Sequence, residues 1–476
     1  MVWSNSLTMS TGNSLIITEH PRADSLGFWR LALTLGMVLF VPIAALAGGM
    51  PLLVMALALG LAVCVWRDPA EAPGAGMLFL FAAQILLPSS ARIYSESTDI
   101  SQMYIWAVGL LIITLAAIIR IGPHRVFDIP LSAQTFLVVA LGSAIYAATH
   151  GAEISYVLRQ FYGILLLIAY LGIGLREGNE ELVLSRSRFF GVFCALCFIV
   201  YYLAIFGEYG FHKEMGTSGA QASVLAILLV IAGIRARKMG WVWSGLILLS
   251  VPALLFQRRD LVAFLAALPI AYAFQSKTWK MRLALGLLAT LLALPGIFPQ
   301  IAQSVGDQLN EVPIISEMIP SSAQDSSSLY ERAVQVQFAL EAVVNHPWLG
   351  EGLGSTFQWD SPIQGSLEGG YVDNGWAYLF QKMGLLGAGA FLWFLITIFK
   401  AFSCESAGLT ACLLSAALVT MFSEPIFFHF TTAPFIGTFA GVLLARKDRV
   451  RKIGGFSDGN RSRNFTYRKG RGFAHG

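Results

Sequence analysis

Six residues in an otherwise apolar sequence have the types and the placement that chemistry needs. Asp373 and Asn374 stand side by side in YVDNGWAYLFQKMGLLG, residues 371–387, just before a long apolar run. Arg159 lies in SYVLRQFYGILLLIAYLGIG, Arg258 and Arg259 in LLFQRRDLVAFLAAL, and Arg332 in SSLYERAVQVQFALEAVVN. A guanidinium presents a planar fork of donors that pairs bidentately with phosphate oxygens, so a cluster of arginines suits a diphosphate. Each residue also has a plainer reading. Asp and Asn both cap helices, Arg159 can snorkel to headgroups, Asp260 is a local partner for Arg258–Arg259, and Arg332 can sit on a solvated face.

Other motifs carry less. Cys194 and Cys197 form a CxxC inside GVFCALCFIVYYL, with no second pair and no nearby His; small buried residues fit better than a metal or redox site. His150, His212, His346 and His429 show neither HxxxH nor HExxH spacing, so no metal ligand set is expected. Gly350, Gly352 and Gly354 in HPWLGEGLGS resemble a nucleotide loop only superficially, because no strand precedes them and no Lys-Ser/Thr follows. A tight turn accounts for them.

What must position these residues follows from composition. The chain has 476 residues, 56% hydrophobic and 13% charged, with mean hydropathy +0.66, against about 25% charged in a soluble domain. Apolar stretches of about 17–25 residues recur, the length that crosses about 30 Å of hydrocarbon. Continuous runs rather than alternating segments choose helices over a barrel. The expected fold is an all-α polytopic transmembrane bundle of about 12–14 spans, with candidate centres near residues 38, 58, 82, 112, 140, 165, 198, 227, 248, 268, 289, 391, 416 and 438. Residues 1–27 read as a cytoplasmic tail without a signal-peptide core, residues 28–298 as about eleven spans, residues 376–445 as about three, and residues 446–476 as a basic cytoplasmic tail. Lipid contact explains that tail without nucleic acid. With the N-terminus inside, only Arg92, Arg159, Lys213, Arg258, Arg259, Arg332 and Lys382, of 32 Lys and Arg, fall on the outer side. The opposite orientation reverses that bias, so both termini are expected in the cytoplasm.

Residues 299–375 form the exception, a large polar loop on the outer side, long enough to carry function. Leu329, Ala333, Val336, Leu340 and Val343 fall at helical spacing, and Ser328 with Glu331 makes a capping box. Pro347 then stops this amphipathic helix.

These stretches resemble the O-antigen ligase and O-antigen polymerase superfamily of bacterial envelope glycan assembly. The resemblance rests on an arginine on a loop helix (Arg332), the hP-l-G-x-G turn (HPWLGEGLG), a polar pair (Asp373–Asn374) followed by nine residues and GLLG, and QRRDLVAFL at the start of a span. It covers about residues 250–445. It implies a GT-C-like bundle with a structured periplasmic loop in the bacterial inner membrane, and glycosyl transfer from undecaprenyl diphosphate without a cofactor or a metal. The partners implied are the lipid-linked glycan donor, a glycan acceptor and membrane lipids, with a chain-length regulator and a flippase of the same pathway. Arg159 with Arg258 or Arg259 would hold the diphosphate, Asp373 would serve as base or acceptor orienter, and Arg332 and Asn374 would support from the loop. Ligases carry His where this chain has Asp373, so the resemblance is closer to polysaccharide polymerases. A ligase passing glycan to lipid A–core is the alternative, and a lipid-linked sugar transporter a more distant one.

Overall fold

A computed structural model describes residues 51–86, 100–209, 216–254, 337–361, 365–369, 374–403, 421 and 427–445. Among them the chain is helical apart from one short antiparallel hairpin. The longer helices are α1 (Pro51–Arg67), α2 (Ala72–Leu86), α3 (Ile100–Ile121), α4 (Leu131–Thr149), α5 (Ile154–Glu177), α6 (Glu180–Tyr209), α7 (Gly216–Ala236) and α8 (Met239–Leu254), with a single helical turn at Pro123–Val126 between α3 and α4. Then come α9 (residues 337–345), α10 (Gly375–Phe399) and α11 (Ala433–Ala445). Helices occur at ten of the expected span positions; those near 38, 268, 289 and 416 lie outside the described residues. Four helical stretches, Leu131–Thr149, Ile154–Glu177, Glu180–Val200 and Gly375–Ile398, are long and apolar enough to cross a membrane, and five more are apolar but shorter.

Local chemistry sets the joints. Asp68 accepts from the Ala70 N–H at 3.3 Å and Pro69 begins the 3₁₀ turn between α1 and α2. Arg186 of α6 holds that turn through Asp68 at 3.0 Å. Pro130 stands at the N-cap of α4, where a missing N–H costs no helical bond. Gly178 closes α5 in the left-handed conformation, its N–H bonded to Gly174 O, a favoured helix end. Arg176 near the end of α5 reaches Asp128, just before α4, at 2.6 Å. Helices α4 and α5 are therefore an antiparallel pair joined through residues 150–153.

The core runs along α5. Tyr170 is fully buried and its hydroxyl donates to Ala72 O at 3.4 Å. Helix α11 crosses α5 closely: a Cβ on Gly437 would stand 2.4 Å from Leu167 O, and one on Gly441 2.1 Å from Leu171 O. Small residues four apart allow this approach between helices in lipid. Phe136 of α4, Phe391 of α10 and Phe428 form a ring cluster with centroids 5.1–6.1 Å apart.

The loop expected over residues 299–375 carries structure where it is described: α9, a turn over residues 346–356, and strands β1 (Phe357–Ser361) and β2 (Gly365–Gly369), with Phe357 opposite Gly369. The described residues are otherwise all-helical, as expected, and the hairpin is a local feature of this loop. With three glycines in and beside β2, and Pro362 next after β1 in the sequence, it lacks the apolar alternation that announces a strand. Of the expected amphipathic stripe, Leu329, Ala333 and Val336 lie outside the described residues; Leu340 lies on α9 and is exposed, while Ala339 and Ala342 are buried.

Candidate functional site

The turn over residues 346–356 and helix α10 are built into each other. Gly384, inside α10, has φ 60 and ψ −160, a region open essentially to glycine alone. A regular helix would have bonded the N–H groups of Leu385 and Leu386 to the carbonyls of Gln381 and Lys382. Instead Leu385 N–H donates to Pro347 O at 2.8 Å and Leu386 N–H to Trp348 O at 3.1 Å. The two freed carbonyls also find partners. Gln381 O accepts from Glu351 N–H at 2.8 Å, and Lys382 O accepts from the Ser143 hydroxyl of α4 at 2.6 Å. The helix break is thus repaired group by group by the turn and by α4.

Contact this close excludes side chains at the junction. A Cβ on Gly350 would stand 2.2 Å from Gln381 O, and one on Gly384 2.6 Å from the Trp348 carbonyl. The remaining glycines of HPWLGEGLGS, both at positive φ, lie against Ala147 of α4 and Val157 of α5. Close approach to three helices, beyond turn flexibility, is what this glycine spacing serves.

Polar side chains complete the joint. The Ser143 hydroxyl accepts from Leu353 N–H at 3.0 Å while donating to Lys382 O. Gln160 of α5 accepts from Gly354 N–H at 2.7 Å. Lys382 is fully buried; its ammonium donates to Ser355 O at 2.5 Å and Ser355 Oγ at 2.9 Å and lies 6.0 Å from the Phe357 ring centroid. Gln381 Nε2 donates to Glu351 Oε2 at 3.2 Å, and Glu351 acts electrostatically on Lys382. Ser143→Ala strands the buried Leu353 N–H and weakens the hold on Lys382 O. At about 1–3 kcal/mol for a buried group left unpaired, the variant is expected to unfold several degrees below the parent on heating in detergent.

Asn374 is the N-cap of α10. Its Oδ1 accepts from the N–H groups of Trp376 and Ala377, each at 3.0 Å, and Gly375 N–H donates to Met421 O at 2.7 Å. The capping reading of Asn374 is therefore realised. Asn374→Ala is expected to cost about 1 kcal/mol, read as a lowered thermal midpoint, whereas Asn374→Asp, which keeps a capping oxygen, is expected to hold the midpoint near that of the parent.

Arg159 is exposed on α5, next to Gln160 and within one turn of Val157, both of which touch Gly354. It acts electrostatically on Tyr378, in the first turn of α10, and the Tyr378 ring stacks on Phe428 with centroids 5.7 Å apart. One end of the helix bundle thus gathers Arg159, the buried Tyr378, the capped start of α10 and the glycine turn. Asp373, Arg258, Arg259 and Arg332 lie outside the described residues, as do Ser328 and Glu331.

The other candidates resolve into structural roles where described. His346 O accepts from Gly350 N–H, His150 Nδ1 lies 2.8 Å from Tyr146 O, and His429 Nδ1 lies 2.6 Å from Thr431 Oγ1. Cys194 and Cys197 are buried free thiols.

Sequence reasoning passed over Ser143, Gln160 and Glu351, and it named Lys382 only among the outer-side cations, without a role. Lys382 gave a signal: a lysine eight residues into an apolar span costs about 2.5–3.5 kcal/mol at the centre of a membrane helix, so it requires a partner. No protein-family model matches the chain, and no curated protein matches it.

Proposed function

We propose that the protein is a membrane polysaccharide polymerase of the O-antigen ligase and polymerase type. It transfers a glycan from undecaprenyl diphosphate to a lipid-linked acceptor at the periplasmic face of the inner membrane, with both chain termini in the cytoplasm. One observation carries this reading. Two of the four stretches on which the resemblance rests, the HPWLGEGLG turn and the segment from Asn374 to GLLG, interlock at Gly384. The spacing gains a physical reason: nine residues of helix, about 13.5 Å, separate the cap Asn374 from the break at Gly384 that receives the turn. Arg159 lies at the same end.

In this mechanism the acceptor hydroxyl attacks the anomeric carbon in line as the bond to the lipid diphosphate breaks, with inversion. Asp373 orients the hydroxyl and takes its proton. Arg159, with Arg258 or Arg259, holds the diphosphate and stabilises the charge that grows on it, a task guanidinium groups perform without a metal. Asn374 acts by position, fixing the helix start beside Asp373, and Arg332 supports from the loop. The leaving group is already activated, so alignment supplies much of the rate.

A carrier for the same lipid-linked glycan has one observation in its favour, since transporters use broken helices and buried charges. Here, however, the break is filled by protein backbone and Lys382 is spent on Ser355. The deciding experiment is analysis of lipid-linked intermediates in a deletion strain. For a polymerase, lipid-bound oligomer ladders vanish and single repeat units accumulate facing the periplasm. Persistent undelivered ladders indicate a ligase, and repeat units trapped on the cytoplasmic face a carrier.

A further inference from the structure

Helix α9 and the turn after it present an apolar surface that the proposed transfer reaction does not use. Successive helical residues step by about 100°, which gives α9 three faces. Ala339 and Ala342 are buried, and the Phe338 ring packs tilted against Phe357 with centroids 5.3 Å apart. Gln337, Glu341 and Asn345 form a polar face, where Gln337 donates to Glu341 at 3.0 Å. The third face is apolar yet bare: Leu340 is 63% and Val344 80% exposed, and Trp348 beyond them 65%. The carbonyl of Trp348 bonds Leu386, and both Leu385 and Leu386 of α10 are exposed. The bare face of α9 therefore continues into the bare face of a candidate membrane span.

Depth agrees with this. The turn is bonded to Ser143, six residues or about 9 Å inside the end of α4, where neighbouring Leu141 and Ile145 are exposed. Irregular backbone at membrane depth is tolerated only where its polar groups are satisfied by protein or by a water-filled cavity. Here the N–H groups of Gly350, Glu351, Leu353, Gly354 and Ser355 and the carbonyls of Pro347, Trp348 and Ser355 all have protein partners.

We propose that Leu340, Val344 and Trp348 are immersed in the acyl region of one leaflet, with α9 lying at its boundary and Glu341 and Asn345 turned to water. The loop then rests on the bilayer as a lipid-embedded shoulder that fixes the depth of the glycine turn. This inference needs only the membrane reading and stands apart from the transferase reading.

The test is nitroxide labelling of the full chain with its native cysteines replaced, reconstituted in nanodiscs of phosphatidylethanolamine and phosphatidylglycerol. Cysteine is placed singly at Leu340, Val344, Trp348 and, as the water-facing control, Glu341; only variants that elute as a single species are compared. The expected result is a severalfold higher ratio of oxygen to nickel-chelate collisions at positions 340, 344 and 348 than at 341. Equal ratios at 344 and 341 overturn the proposal. So does protection of 344 from both reagents, which would mean that a second copy or another protein covers the face.

Discussion

Gly384→Ala is expected to destabilise the protein by about 3–5 kcal/mol, the sum of a backbone region costly to a side chain and an overpacked junction. The added methyl would stand 2.6 Å from the Trp348 carbonyl and the Gly350 nitrogen. All of its near neighbours are backbone, so none can swing away. Moving the turn back would break the bonds from Leu385 and Leu386 to Pro347 and Trp348, and with them the contact between Glu351 and Gln381. The chain would then leave six backbone groups unsatisfied or let α10 straighten and expel the turn. Either outcome lowers the thermal midpoint in detergent and exposes residues 346–356 to limited proteolysis. Gly389→Ala is the control, since that glycine lies in the same helix with open space around its Cβ position; it is expected to leave the midpoint unchanged or raised. A parent-like midpoint for Gly384→Ala would mean that the helix break does not hold the turn.

Helix positions were legible because lipid imposes one requirement on sequence, an apolar run of sufficient length. The joint between the turn and α10 was not legible, because it depends on which groups meet rather than on what each stretch prefers. HPWLGEGLGS announces a turn, and GLLG within an apolar run reads as continuous helix. Nothing local reports that Leu385 takes its acceptor from Pro347. Ser143 is ordinary in sequence, a small hydroxyl in an apolar helix that normally bonds its own backbone, and only the folded chain assigns it to Lys382 and Leu353. What covers the apolar residues of α9 was not legible for a different reason. Helical periodicity identifies an apolar face without saying whether protein or lipid covers it, and in a membrane both are solvents for leucine. Leu340 and Val344 followed the second course. Of the proposed site, Arg159 and Asn374 are placed at one end of the bundle, one beside the start of α10 and the other capping it.

Removing the Asp373 carboxylate, as Asp373→Ala, is expected to reduce polymer formation by about 10²–10⁴-fold, the range attributed to a positioned proton acceptor, while leaving the amount of protein in the membrane unchanged. The stability expectation follows from the neighbouring residue: the start of α10 is capped by Asn374 Oδ1 through two N–H groups, so the helix keeps its cap when Asp373 is lost. The informative comparison is Asp373→His. The superfamily resemblance puts His at this position in ligases, and an imidazole also accepts a proton from a hydroxyl. If Asp373 serves as base, the His variant retains measurable polymer and shifts its pH dependence toward the imidazole range. If the carboxylate only orients the acceptor through hydrogen bonds, Asp373→Asn recovers more activity than Asp373→His. Polymer of parental length and amount from Asp373→Ala would remove the residue from the mechanism.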